Sequence, residues 1–363
     1  MINSKVKIQN SKGEYSFLNF EFLLLPMISR RHFIGLSLIL GVPVKFNQSA
    51  IVMTVAGEMN ASAMGLTLIH EHFLVDFIGA DKTDPSRWDR EEVVKRVLPF
   101  LLEAKKNGVK TILDCTPAYL GRDPLLLQRL QDSSGLNILT NTGFYGAVQN
   151  KYLPPIAMAT SPEELSDIWM KEIVNGIDKT GVQPGFIKIS VDSNEGNGLS
   201  SIHKKLVRAA ALTHLKSGLT ICSHTGIAKT AFEEIEIIQK VGAAPSSFVW
   251  VHAQAEKDRT QHVKAAQMGT WVSLDGMGWG DFDEYAEAIS NLKAAGLLHR
   301  VLISHDAGWY HPGEANGGEF KGYTNIFTEI LPRLKKIGFV QNDFDQLLIR
   351  NPAEAFTIRI RMA

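Results

Sequence analysis

From about residue 58 to its end, the chain alternates short runs of β-branched and other apolar residues with longer amphipathic stretches. Such alternation is typical of βα units that build a parallel sheet. Eight short runs are predicted strands: residues 66–70, 110–115, 137–143, 185–190, 219–224, 248–252, 270–276 and 301–306. Eight strands with intervening helices in roughly 300 residues predict an α/β protein with a (β/α)8 TIM barrel and an active site at the C-terminal ends of its strands. An open doubly wound sheet is the alternative fold, but no glycine-rich phosphate loop follows the first strand.

Helix ends are readable between these runs. Ser161, Pro162 and Glu164 form the capping-box pattern of a helix start. The segment 89–108 has acidic residues at its beginning, lysines near its end and Gly108 as a stop signal. Both segments therefore predict helices that connect strands.

The first fifty residues differ in character and are predicted to be an N-terminal extension, residues 1–50, ahead of one folded domain, residues 51–363. Arg30 and Arg31 precede an apolar run that is too short to span a bilayer, and small and polar residues follow. This order predicts a secretory signal that resembles the twin-arginine type, and Met27 is a natural start for it. We therefore expect a periplasmic or otherwise exported protein; the alternative is a disordered N-terminus on a cytoplasmic one.

The charge balance bears on the class of partner. The chain has 38 basic and 38 acidic residues and no basic run beyond short pairs, so a small-molecule substrate is favoured over a nucleic acid. No stable membrane insertion is predicted. Cys115 and Cys222 fall in different predicted strands, which favours two buried thiols over a disulfide or a thiolate zinc site.

Polar residues occur where the predicted strands end. On the first strand, His70 and His72 share a face with Leu66 and Leu68, while Glu71 points to the other face. Taken alone, the two imidazoles are either ligands of one metal ion or core histidines satisfied by the backbone, since a metal site needs further ligands. A barrel brings polar residues from the ends of four later strands to the same mouth: Lys188, His224, His252 and Asp306.

Lys188 is predicted to point into the barrel, because Ile187 and Ile189 would pack on the helices. A buried ammonium without a partner is costly. Two solutions are open: an ion pair with a carboxylate such as Asp306, or reaction of the neutral amine with carbon dioxide to give a carbamate that bridges two cations. With neutral imidazoles and one carboxylate, the donor set suits zinc, or manganese and cobalt at similar geometry.

The HEH pattern of the first strand, the lysine of the fourth, SHTG of the fifth, the histidine of the sixth and SHD of the eighth together resemble the phosphotriesterase-related family of the amidohydrolase superfamily, which includes lactonase-like members. The resemblance covers nearly all of residues 58–363, including NPAEAF at 351–356. It implies a hydrolase with two divalent metal ions. His70, His72 and Asp306 would bind one ion, His224 and His252 the other, and carboxylated Lys188 and a hydroxide would bridge them.

A hydroxide shared by two metal ions is a nucleophile near neutral pH, and Asp306 would accept the proton as a tetrahedral species forms. Tyr145 resembles a tyrosine that lactonase-like members place over the substrate, where it would orient a ring oxygen or leaving group; alternatively it is a rim aromatic. The expected activity is hydrolysis of a lactone or carboxylic ester. Phosphotriester hydrolysis is the alternative, and a catalytically silent exported binding protein is an alternative of another class.

The loop sequences after the sixth and seventh strands differ from those of well-known relatives. LDGMGWGDFD, from residue 274, lacks the arginine that lactonase-like members often carry, and HAQAEKD, from residue 252, differs from the acidic pattern of phosphotriesterases. Trp279, Trp309 and Tyr310 would form an apolar or sugar-stacking wall, or cap the barrel. A homodimer is common in such relatives and is expected here as one possible assembly.

Overall fold

The computed structural model describes residues 4–9, 15–20, 50–192 and 198–363. The chain divides into two compact units, Met1–Ser49 and Ala50–Ala363. In the smaller unit, strand β1, Ser4–Gln9, pairs antiparallel with β2, Tyr15–Phe20. Except for its last residue, the predicted export signal, 27–50, lies outside the described residues. No helix among those described is long and apolar enough to cross a membrane.

The larger unit begins with an antiparallel hairpin and continues into the predicted parallel strands. The hairpin consists of β3, Ile51–Thr54, and β4, Gly57–Asn60. All eight predicted strands are present, as β5 (Leu66–Leu74), β6 (Val109–Asp114), β7 (Asn137–Leu139) with β8 (Asn141–Thr142), β9 (Phe186–Ser190), β10 (Ile221–His224), β11 (Phe248–Val251), β12 (Trp271–Leu274) and β13 (Val301–Ile303), and a short strand β14 (Gly308–Tyr310) follows. The predicted third strand is interrupted at Thr140, because β7 pairs with β6 and β8 with β9.

Helices fill the connections, as the alternation predicts. The α-helices are α1 (Arg90–Lys106), α2 (Pro124–Ser134), α3 (Pro155–Ala159), α4 (Pro162–Asn175), α5 (Ser201–Ser217), α6 (Ala228–Val241), α7 (Arg259–Gln267), α8 (Phe282–Ala294), α9 (Leu331–Lys336), α10 (Gln341–Asp345) and α11 (Asn351–Phe356). The capping box at Ser161 and Glu164 starts α4 as predicted. Asp89 caps α1, and Gly108 follows its end with a positive φ.

The strands form a (β/α)8 barrel. One run of parallel pairs goes from β8 through β9, β10, β11 and β12 to β13, and another goes from β7 through β6 and β5 to β14. On one side the chain passes directly from β7 to β8. On the other, the segment after β13 bonds to β5, through Asp306 N–H to the His70 carbonyl at 3.0 Å and His72 N–H to the Ala307 carbonyl at 2.8 Å. The C-terminal ends of the strands therefore share one rim.

Apolar residues form two main layers on either side of the strands. One lies between strands and helices and includes Ile187 and Ile189, so Lys188 points inward as predicted. The other lies inside the barrel and includes Phe186 and the buried, free Cys115 and Cys222. The interior layer is the floor beneath the polar rim.

The predicted facing of the first strand is only partly right. A register irregularity between Leu68 and Glu71 interrupts the alternation. As a result, Leu68 packs in the helix-facing layer and Ile69 in the interior one, so the prediction that Leu68 shares a face with His70 is wrong. The bulge nevertheless leaves His70 and His72 together at the rim.

Candidate metal centre and active site

His70 and His72 lie at the rim end of β5 and are both buried. Their ring centroids are 5.3 Å apart. Burial, reinforced by the positive charge of Lys188, lowers the pKa of His70 to about 4. His70 is therefore a neutral imidazole near neutral pH, which is the form that binds a cation.

Asp306 follows β13 and points back at these two imidazoles. Its Oδ1 lies 3.2 Å from His72 Nε2 and 3.6 Å from His70 Nε2. Burial opposes ionisation of Asp306, but the surrounding imidazoles outweigh it and hold the pKa of the carboxyl far below its usual range. The backbone of Asp306 has a φ of 51°, a left-handed conformation that costs free energy for a side chain of this kind. Strain is thus retained where it aims the carboxylate into the mouth.

His224 and His252, from β10 and the end of β11, form the opposite side of the mouth. Their ring centroids lie 4.4 Å apart, edge to face. His252 Nε2 lies 4.0 Å from Asp306 Oδ2, so Asp306 stands between the two pairs of imidazoles. His252 also has a left-handed φ, 60°. The hydroxyl of Tyr145 lies 3.1 Å from His224 Nδ1.

Lys188 lies at the centre of this group and is 1% exposed. Its Nζ is 3.2 Å from His70 Nε2, which is its hydrogen-bond partner among the described residues. No ion pair joins Lys188 to Asp306 within that part of the chain, so the ion pair considered from the sequence is not formed. A buried amine against an imidazole lacks the anion that such a position calls for.

Sequence reasoning missed Asp275, which follows β12 and is fully buried. Its Oδ1 lies 2.8 Å from His252 Nδ1, and its Oδ2 lies 3.1 Å from His70 Nδ1. Burial alone would raise the pKa of Asp275, but His252 and His70 hold it well below its usual range. The signal was available, because Asp275 ends its predicted strand in SLDG much as Asp306 ends its own in SHDA.

Thr116, which the sequence also did not reveal, orients the imidazole of His72. Its hydroxyl donates to the Leu74 carbonyl at 3.0 Å, so its oxygen accepts a hydrogen bond from His72 Nδ1 at 2.8 Å. That places the proton of His72 on Nδ1 and leaves the Nε2 lone pair directed at the mouth. Nδ1 is bonded to the protein in His72 and His252 and faces a carboxylate oxygen in His70, the arrangement expected of metal-binding imidazoles.

The donor set fits a metal ion. Ligand atoms of His70, His72 and Asp306 lie within 4.8 Å of one another, and a buried lysine and two further imidazoles adjoin them. Asp275 forms a second such group with His70 and His252, but it faces their Nδ1 atoms and is better understood as orienting them. All six predicted ligands are thus brought to one mouth, with Tyr145 beside them.

Aromatic side chains surround the opening. The indole Nε1 atoms of Trp279 and Trp309 both donate to the Asp306 carbonyl, at 2.8 and 3.2 Å, and both rings line a cavity of about 400 Å³ next to Asp306. Tyr310, predicted as a third member of this wall, is instead buried in β14 and is not among the lining residues. It pairs there with Leu74 of the first barrel strand, which draws its side chain away from the mouth.

Comparison with known proteins agrees with this geometry. The model of the phosphotriesterase family matches residues 50–356. A "phosphotriesterase homology protein" of Escherichia coli strain K12 is 29% identical over 82% of this chain and 100% of its own length. An "aryldialkylphosphatase" of Saccharolobus solfataricus is 27% identical over 83% of this chain and 97% of its own. The human "N-acetyltaurine hydrolase" is 26% identical over 86% of this chain and 99% of its own.

Proposed function

The chain belongs to the phosphotriesterase family, and from that premise we propose that it is a metal-dependent hydrolase that cleaves a lactone or another carboxylic ester. The observation that carries the proposal is the meeting of His70, His72 and Asp306 within 4.8 Å, beside a buried Lys188. These groups come from the ends of three separate strands.

In this proposal, His70, His72 and Asp306 hold one divalent ion and His224 and His252 hold another. Zinc is the first choice, with manganese or cobalt as alternatives. When bound, such a pair lowers the pKa of water and polarises a carbonyl or phosphoryl oxygen. Lys188 Nζ, as the neutral amine, adds to carbon dioxide with loss of one proton, and the resulting carbamate supplies the anion that its buried position lacks.

The chain's own residues would handle protons and position the substrate. Asp306 is held ionised by its imidazole neighbours, so it can take a proton as the tetrahedral species forms. Burial raises the pKa of Tyr145, so its hydroxyl stays protonated and can donate to a ring oxygen or leaving group. The Trp279 and Trp309 rings would exclude water from one side of the mouth.

The choice of bond rests on the charge of the cavity beside Asp306. Among the described residues that line it, Asp306 is the only charged one, which favours an uncharged substrate. A lactone fits, and an aryl dialkyl phosphate, also uncharged, is the second candidate, as the name of the Saccharolobus relative suggests. The substrate named for the human relative carries a sulfonate, and the described lining residues include no lysine or arginine side chain to pair with it.

The test combines metal content with a substrate panel of lactones, linear esters, aryl dialkyl phosphates and N-acetyltaurine. We expect two metal ions per chain and fastest turnover of a lactone. Lys188→Ala should lose a metal ion and turnover, with partial rescue by acetate or propionate, whereas Lys216→Ala, at an exposed ion pair with Asp167, should behave as wild type. Full activity of Lys188→Ala would refute the mechanism, and tight ligand binding without turnover would support a silent binding protein.

We also propose that residues 27–50 direct export, on the order of paired arginines, apolar run and small residues. Fractionation of cells that express the full chain should find it in the periplasm, and Arg30→Lys with Arg31→Lys should retain it in the cytoplasm. Equal distribution of both forms would refute the export signal.

A further inference from the structure

The cavity beside Asp306 contains more polar chemistry than the hydrolytic step requires. Besides the two indoles and Asp306, it is lined by Gln254, Gly276, Gly280 and Tyr285. None of these additional residues belongs to the six predicted metal ligands. They are available to select what part of a substrate lies next to the scissile bond.

Tyr285 is the most informative of them. It lies in the first turn of α8 and is 7% exposed, yet its hydroxyl has no hydrogen-bond partner among the described residues. Burial, with Asp275 and Asp306 nearby, raises its pKa, so it is a neutral group that can donate or accept. Because Tyr285 lines the cavity, this hydroxyl is open to a ligand or a water molecule that can complete its hydrogen bonding.

Gly276 makes room for this hydroxyl and for the Gln254 amide. A Cβ at position 276 would lie 2.6 Å from Tyr285 Oη and 2.6 Å from Gln254 Nε2. The two polar atoms therefore converge on one small space that any side chain at 276 would fill. Gln254 is held in place by Asp275, because its Oε1 accepts from Asp275 N–H at 3.2 Å and its Nε2 donates one hydrogen to Asp275 Oδ1 at 3.4 Å. The second N–H hydrogen of Nε2 remains for a ligand in that space.

The tryptophans supply the complementary apolar wall. Because both indole N–H groups are bonded to the Asp306 carbonyl, the rings are fixed and their polar atoms are used. Lys321 Nζ lies over the Trp279 ring, 2.9 Å from its centroid, and is not among the lining residues. The cavity thus combines neutral hydrogen-bonding groups on one side with aromatic rings on the other.

Resting on the proposed function, we propose that this cavity is the subsite for a hydroxyl-bearing ring, so that the substrate is a neutral, polyhydroxylated lactone. One ring hydroxyl would bond Tyr285 Oη and Gln254 Nε2, and the C–H face of the ring would lie against the indoles. The described lining pairs with hydroxyl groups rather than with an anion, because its side chains besides Asp306 are a neutral amide, a neutral phenol and two indoles.

The test measures binding by calorimetry, so that it does not depend on turnover. The probes are two six-membered lactams, one polyhydroxylated and one unsubstituted, which imitate lactones but resist hydrolysis. Wild type should bind the hydroxylated lactam about tenfold or more tightly, and Tyr285→Phe should remove most of this preference, in keeping with the loss of one neutral hydrogen bond. Gly276→Ala should also reduce it, because the added methyl group fills the polar space.

Tyr310→Phe is the matched control, since Tyr310 is also 7% exposed but lies outside the cavity lining. It should keep the full preference. Equal binding of both lactams by wild type, a preference that survives Tyr285→Phe, or an equal loss in Tyr310→Phe would each overturn the subsite. A lactam preference that behaves as expected in a protein that hydrolyses no lactone would instead refute the proposed function and leave the subsite standing.

Discussion

Two sets of buried histidines lie side by side at the rim of this barrel and differ in how their second nitrogen is used. His305, next to Asp306 in the chain, uses both nitrogens within the protein: Nδ1 donates to Glu71 Oε1 at 2.7 Å, and Nε2 accepts from Ile326 N–H at 3.1 Å. His70 Nδ1 faces Asp275 Oδ2 at 3.1 Å and His72 Nδ1 bonds Thr116, while the Nε2 atoms of both point to the mouth, towards Asp306 and, for His70, Lys188. The first arrangement is complete without a ligand, and the second is not.

The difference separates structural from functional histidines without reference to motifs. An imidazole with both nitrogens bonded has no lone pair to offer a metal ion. The role of His305 is therefore structural: it joins the segment after β13 to Glu71 of β5. An imidazole whose Nδ1 faces the protein is oriented and directs its Nε2 at the mouth, where the other predicted ligands lie: Lys188 and Asp306 beside His70, and Asp306 beside His72. Barrel closure and metal binding are therefore assigned to neighbouring residues of the same two strands.

The largest effect is expected from removing a histidine whose Nε2 points to the mouth. His72→Ala should lower kcat/KM by at least about 1000-fold, because a ligand of the proposed nucleophile-generating centre is lost, while the protein stays folded. His299→Ala, at an exposed position before β13, is the matched control and should leave activity unchanged. Steady-state kinetics and metal analysis decide the matter; near-normal activity of His72→Ala would remove His72 from the centre.

The next largest effect is expected around His305, whose two ring nitrogens are both bonded within the protein. Glu71 accepts hydrogen bonds from Ser304 Oγ, from the backbone and ring of His305, and from Ala307 N–H. Glu71→Gln should place an amide N–H against one of these donors and lower the free energy of unfolding by about 3 kcal/mol. Urea titration measures this, and metal content per folded molecule should be retained.

Glu236→Gln serves as its control, because Glu236 is exposed and forms an exposed ion pair with Lys240. A change of less than about 0.5 kcal/mol is expected there. If Glu71→Gln instead unfolded no more easily than wild type and released metal, the division between closure and binding would be wrong.

A smaller effect, on metal affinity, is expected from changing Asp275, which orients the imidazoles of His70 and His252. In Asp275→Asn, the single amide oxygen can accept from only one of His70 Nδ1 and His252 Nδ1. The other imidazole faces an N–H donor, so its own proton moves to Nε2 and blocks the ligand position. Metal affinity, measured by competition with a chelator, should fall about 10- to 100-fold. Asp283→Asn, exposed and paired with Arg333, should have no effect, and unchanged affinity in Asp275→Asn would show that the imidazoles are oriented by other contacts.

Much of the fold can be predicted from the sequence. The number of strands, their order and the residues at their ends can all be read from the alternation of short apolar runs with longer amphipathic stretches. The eight strands and the convergence of Lys188 with His70 are of this kind. The position of Asp275 near the end of a predicted strand indicates that it lies at the rim, but one aspartate gives no sign of the two imidazoles that it contacts. Tyr285 could not be found, because its role depends on Gly276 having no side chain, a relation between a loop and a helix. The prediction of which side of the sheet Leu68 faces is wrong, because a β-bulge adds one residue to the strand and nothing in the sequence indicates it.

Glu234 is a buried carboxyl whose partners are hydroxyl groups instead of imidazoles. Changing it is expected to alter stability and to have the smallest effect on turnover. Ser223 and Thr225, on either side of His224, bond its two oxygens, and burial raises its pKa to about 8. The folded state thus keeps a proton that the unfolded state loses above its ordinary pKa of 4.5. The contribution of Glu234 to stability is therefore fully present below about pH 4.5 and is lost as pH rises towards 8, by about 1.4 kcal/mol per pH unit.

Glu234→Gln reproduces the protonated carboxyl at every pH, since its amide can donate to Thr225 and accept from Ser223. Urea titrations from pH 5 to pH 8 should therefore show a smaller loss of stability in the variant than in wild type, with the gap widest at pH 8. Its neighbour Glu233 has the opposite sign: it is partly buried, but Leu199 N–H and Lys204 lower its pKa, so Glu233→Gln should cost stability at neutral pH and little in acid. Parallel pH profiles for wild type and Glu234→Gln would mean that Glu234 is ionised in the fold, and that buried carboxyls at this rim need no imidazole to stay charged.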